Sequence, residues 1–132
     1  DVSGWCALPK VISGMEDMID GGWETIMQHN RDLVIEGRNL VCKALGIEAP
    51  CPDSMIACIS TLQLPGEPLP LEIMHQPDPL HEILSQKYNI QVPVWSWPSP
   101  AGRYLRISAQ LYNDIEEYKL LADALKHELN LD

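Results

Sequence analysis

Between Arg103 and Asn113 the chain alternates, with Leu105, Ile107, Ala109 and Leu111 apolar and Tyr104, Arg106, Ser108 and Gln110 set between them. A period of two marks a strand buried on one face, which sends Arg106 and Ser108 together out of the core. The pattern predicts a strand running through Tyr112 into Asn113, where Asn113 and Glu116 have the spacing of an N-cap and capping box. A last helix follows, with Ile115, Tyr118, Leu121, Ala122, Leu125 and Leu129 on one face. Its acidic start at Asp114, Glu116 and Glu117 and its basic end at Lys126 and His127 suit a helix dipole, which explains the paired carboxylates better than acid-base chemistry does.

Upstream, Trp23, Ile26, Met27, Leu33, Val34, Leu40, Val41, Ala44 and Leu45 form one apolar stripe, predicting a long amphipathic helix that Gly46 stops. Asn30 interrupts the stripe and reads as a polar residue at its edge; Arg38 falls outside it. Ala7, Leu8, Val11, Ile12 and Met15 predict a short or irregular helix within Asp1 to Met18, with Ser3 as candidate cap and Pro9 in a first turn starting near Ala7. Met55 to Leu64 reads as a strand. Asp78 and Pro79 read as N-cap and first-turn proline of a helix reaching about Asn89. Ile90 to Trp97 reads as an edge or bulged strand, because Pro93 removes a ladder donor, and Trp95 and Trp97 share one of its faces as a packing surface. Pro98 to Gly102 then turn the chain back as a hairpin. Pro65 to Pro79 is a long proline-rich connection, and such loops in small domains are candidate lids or contact surfaces.

The element order is therefore helix, long helix, strand, helix, strand, strand, helix. It predicts an α+β fold with a small, largely antiparallel sheet of about three strands and helices packed on one face. Residues 1–132 read as one domain, with 1–22 a lead-in helical segment and 23–132 the α+β body. The uncovered sheet face would carry Arg106 and Ser108.

Nine Lys plus Arg against nineteen Asp plus Glu give a net charge of −10, with the cations scattered. That argues against nucleic acid and anionic membrane surfaces as partners. Cys6, Cys42, Cys51 and Cys58 form no Cys-x-x-Cys pair, and with no secretory signal they are expected as reduced, buried thiols in a cytoplasmic setting. His29, His75, His81 and His127 are too dispersed for a metal site. No nucleotide-binding glycine loop, metalloprotease motif or nucleophile elbow is present, and no lysine sits in an apolar setting suited to imine chemistry.

The run Arg106-Ile107-Ser108-Ala109-Gln110-Leu111-Tyr112-Asn113 ahead of an acidic-start helix resembles the C-terminal domain of class V aminotransferase-type enzymes dependent on pyridoxal phosphate. More narrowly it resembles the isopenicillin N epimerase-like branch. Gly22-Trp23-Glu24, Ile26-Met27, His29-Asn30 and the helix to Leu45-Gly46 are similar to the same branch. So are Val92-Pro93-Val94 before a tryptophan and Pro98, and the opening Asp1-Val2-Ser3-Gly4-Trp5 with Ala7-Leu8-Pro9.

The resemblance implies the small domain of a fold type I enzyme whose large domain, upstream, holds pyridoxal phosphate on a lysine. The small domain would contribute an arginine for the α-carboxylate of an amino-acid substrate, by motif position Arg106. Tyr112, Asn113 and Glu116 would set the corner that supports it. The resemblance also implies a homodimeric parent enzyme, and a stretch that by itself holds no catalytic residue and no covalent cofactor. The alternative is a stand-alone, non-catalytic binding or dimerisation domain using the exposed sheet face.

Overall fold

The computed structural model describes residues 1–131. Seven principal elements follow in order: α1 (Ser3–Glu16), α2 (Gly22–Leu45), β1 (Ile59–Leu64), α3 (Pro79–Tyr88), β2 (Val94–Pro98), β3 (Ala101–Ser108) and α4 (Ile115–Glu128). The sheet has the order β1-β3-β2 and is antiparallel throughout, so β3 is central and both neighbours are edges. This is the expected α+β arrangement.

The register fixes the two faces. Leu62 lies opposite Leu105, Ser60 opposite Ile107, and Val94 opposite Leu105, so Leu62, Leu64, Val94, Leu105 and Ile107 bury together. They join Leu33, Val34, Val41 and Leu45 of α2 and Leu121 and Leu125 of α4 in one core. Because side chains alternate along a strand, Thr61, Gln63, Trp95, Trp97, Tyr104 and Arg106 fall on the opposite face.

α2 is the long helix that its stripe predicts, ending at Gly46 in the left-handed conformation, with Ile47 N–H returning to the Cys42 carbonyl at 3.0 Å. Two of its polar residues are buried against expectation. Arg38 is 2% exposed, because its guanidinium meets the Asp53 carboxylate, the Asn39 side chain and the Cys51 carbonyl. Asn30 is 5% exposed and donates through Nδ2 to Gln110 Oε1 at 3.0 Å. Met27, expected inside, is exposed. At Gly37, α2 packs directly on the Tyr118 ring of α4: a Cβ there would lie 2.5 Å from it.

Several element ends differ from the pattern. α1 runs unbroken through Pro9 for 14 residues, and Val2 rather than Ser3 occupies its cap position. None of its residues is buried, and Trp23 Nε1 donates to the Ile12 carbonyl to tie it to α2. β1 begins only at Ile59. Before it a short 3₁₀ turn, Asp53–Met55, is held by Arg31, which donates to the Ile56 and Asp53 carbonyls. β2 begins after Pro93, whose carbonyl accepts from Arg106 N–H at 3.1 Å. Trp95 lies half-buried near Tyr104, ring centroids 6.3 Å apart, whereas Trp97 is exposed.

β3 stops at Ser108 instead of reaching Asn113. Asn113 closes a turn, its N–H bonding the Gln110 carbonyl and its Oδ1 accepting from Gln110 N–H. That engagement moves the cap one residue on. Asp114 accepts from the N–H groups of Glu116 and Glu117, and Glu117 returns to Asp114 N–H, completing a capping box at Asp114 and Glu117. The four cysteines are free thiols, but only Cys42 is buried; Cys51 is half-buried and Cys6 and Cys58 are exposed. Burial pushes the Cys42 thiol up, with the nearby Arg38 opposing.

Candidate functional site

The chain has four arginines, Arg31, Arg38, Arg103 and Arg106, and their environments single one out. Arg31 and Arg38 are tied to the loop that precedes β1. Arg103 reaches Asp78 through Nε and Nη2, both at 2.7 Å, in a two-pronged ion pair. Asp78 is 1% exposed and also caps α3 by accepting from Leu80 N–H at 2.9 Å. Among the described residues nothing bonds the Arg106 guanidinium, which stands exposed near the end of the central strand.

Arg106 lines a groove of about 660 Å³. The floor is the end of β3, from Arg106 to Ser108, and one wall is the segment from Asn89 to Pro93, which leaves α3 at the left-handed Asn89. That segment is fixed along its length: Ile90 N–H bonds the Leu84 carbonyl, His81 Nδ1 lies 2.7 Å from the Val92 carbonyl, and Pro93 accepts from Arg106 N–H. The other wall is Tyr112, Asn113 and the first two turns of α4, including Glu117, Tyr118 and Leu121. Tyr118 joins this wall to the floor, donating to the Ser108 carbonyl at 2.7 Å, and burial with the neighbouring Glu117 charge pushes its phenol up to about 12. A guanidinium with all its donors open, carried on the ordered backbone of β3, has the geometry for bidentate pairing with a planar anion such as a carboxylate.

The structure brings together Arg106, Ser108, Tyr112 and Asn113 of the sequence-identified stretch. The proline-rich loop lies elsewhere: Glu67 and Leu69 border a second cavity of about 280 Å³ that also contains Asp78 and Arg103, and Leu69 N–H bonds Ser96 Oγ at 2.7 Å. The corner is supported differently from the expectation. Gln110, Asn113, Asp114 and Glu117 build it, Asn30 braces it from α2, and Glu116 instead pairs with Lys119. Only the break that Asn30 makes in an apolar stripe signalled this in the sequence.

Among the described residues no lysine lines the groove. Lys87 and Lys119 have their pKa raised, by Glu128 and Glu116 respectively, the opposite of what imine formation needs. Among the described residues the groove thus offers one unengaged guanidinium and no amine to hold an aldehyde cofactor covalently. Among the described residues no cluster of His, Cys, Asp or Glu is arranged to hold a metal ion. No described helix is long and apolar enough to cross a membrane.

The fold and groove thus define a small α+β unit that presents one unengaged cation beside an uncovered sheet face. No family model matches the chain. It is similar to a protein of Arabidopsis thaliana named "Probable L-cysteine desulfhydrase, chloroplastic", with 29% identity over 95% of this chain and 27% of that protein. It is 28% identical to a second Arabidopsis thaliana protein, "L-cysteine desulfhydrase", over 95% of this chain and 30% of that protein. The chain spans less than a third of the length of either relative.

Proposed function

We propose that this chain is the small domain of a longer pyridoxal-phosphate-dependent enzyme that acts on a small amino acid, and that Arg106 binds the substrate's α-carboxylate. The observation that carries the reading is the contrast among the arginines: three are held by this chain's own groups, while the fourth is unengaged in a rigid groove. Leaving an exposed guanidinium unpaired costs the fold little and keeps its donors available for a ligand carboxylate. The cofactor and the reacting lysine belong, in this reading, to the rest of the enzyme, which also forms the homodimer. Arg106 orients the substrate and moves no proton.

The names of both relatives favour L-cysteine as substrate and desulfhydration as reaction, in preference to the epimerisation that the narrower family resemblance implies. The test is Arg106→Ala in the full-length enzyme, assayed with L-cysteine. It should lower kcat/KM by about a hundredfold while cofactor absorbance stays at the wild-type level. Equal loss of cofactor and activity, or loss of neither, would overturn the assignment.

A further inference from the structure

The Leu111–Tyr112 turn is bonded to residues on both of its sides and to α2. Gln110 N–H bonds Asn113 Oδ1 at 2.9 Å, Asn113 N–H bonds the Gln110 carbonyl at 2.8 Å, and Leu111 N–H bonds Gln110 Oε1 at 2.8 Å. Gln110 Oε1 also accepts from the buried Asn30, and Asn113 Nδ2 donates to Glu117 at 2.8 Å. Five hydrogen bonds thus order the turn from both sides. The backbone they order carries Tyr112, which is 83% exposed and whose hydroxyl bonds nothing among the described residues.

A large side chain displayed on a rigid turn contributes little to folding, because it buries little surface. Contact groups in binding sites, in contrast, gain from being ordered in advance. Tyr112 lines the same groove as Arg106, across the floor formed by the end of β3. We infer that Tyr112 is a second substrate-contacting residue, its phenol donating a hydrogen bond to the carboxylate that Arg106 holds. The inference rests on the carboxylate-binding reading of Arg106 and adds to it a neutral donor that fixes the carboxylate's rotation. Asn30, Gln110 and Asn113 are positioning residues that act through the turn.

The test compares Tyr112→Phe, Tyr112→Ala and Arg106→Gln in the full-length enzyme, reading KM and kcat for L-cysteine together with cofactor absorbance and thermal midpoint. Tyr112→Phe should raise KM about tenfold or more with kcat within about twofold, since a hydrogen bond to a charged carboxylate is lost. Tyr112→Ala should raise KM at least as much, with the thermal midpoint and cofactor absorbance unchanged. Wild-type KM in both Tyr112 variants, alongside a large KM increase in Arg106→Gln, would overturn the inference and leave the carboxylate reading standing. Wild-type KM in all three would overturn both.

Discussion

Arg103 and Arg106 lie three residues apart on the same strand and have opposite fates. Arg103 points to the core side, where a buried carboxylate grips it at two points and the same carboxylate starts α3. Arg106 points to the open side, and its guanidinium bonds nothing among the described residues. The difference shows how one strand serves two purposes. On its inward face Arg103 closes the end of the proline-rich loop against the sheet through Asp78, and on its outward face Arg106 stands exposed and unpaired among the described residues. Burial separates the two roles: an ion pair with a 1% exposed partner must be complete, whereas an exposed cation needs no partner to be tolerated.

The largest expected break in that comparison is Asp78→Ala. It strands Arg103 and removes the α3 cap at once, so denaturant unfolding should show a loss of about 3 kcal/mol or more. Arg106→Ala, measured in the same way, should change stability by no more than about 0.5 kcal/mol. Gly37→Ala should cost about 1–3 kcal/mol, because the new methyl group meets the Tyr118 ring at 2.5 Å and α2 and α4 must part to admit it. Tyr118→Phe should cost about 1 kcal/mol by freeing the Ser108 carbonyl at the groove floor.

Tyr118 also gives the locked part of the molecule a pH signature. Its folded pKa, about 12, lies above the ordinary value of 10, so the folded state holds the proton more tightly. Its stabilisation is complete below pH 10 and declines as pH rises through about 12; a pH series of unfolding midpoints should show that alkaline decline steeper in the wild type than in Tyr118→Phe.

The smallest effect belongs to Glu128, which joins α4 to α3 by accepting from Lys87 at 2.7 Å and Tyr88 at 2.6 Å. Bonds from Lys87, Tyr88 and His127 hold its carboxyl down to about 2. Its contribution is present above about pH 4.5 and is lost as pH falls toward 2. Glu128→Gln should therefore weaken the acid dependence of stability slightly and leave the neutral-pH groove unchanged.

Much of this division was legible in the sequence. The alternation from Leu105 to Ala109 placed Arg106 and Ser108 outside, the stripe from Ile26 to Leu45 gave α2, and Asp78-Pro79 gave the start of α3, because each depends on neighbours within a few residues. The pairing of Arg103 with Asp78 was not legible, nor was the burial of Arg38 against Asp53, since the partners lie 25 and 15 residues away and arrive only through the tertiary fold. The β3 to α4 corner was misplaced by one residue for a different reason. Asn113 with Glu116 and Asp114 with Glu117 have the same spacing, and only the turn that engages Asn113 selects the second pair. Asn30 was visible as a break in the stripe, but its role depended on Gln110, 80 residues further on. The apolar positions of α1 predicted a helix, but none of them is fully buried.

The central claim is that Arg106 reads a carboxylate, and its most direct test is discrimination between L-cysteine and L-cysteinamide, which lacks that charge. The ratio of kcat/KM for the two compounds should be large in the full-length wild-type enzyme and fall by at least about tenfold in Arg106→Gln, because the variant has lost the group that distinguishes them. An unchanged ratio in Arg106→Gln would contradict the account and return Arg106 to the status of an ordinary surface charge.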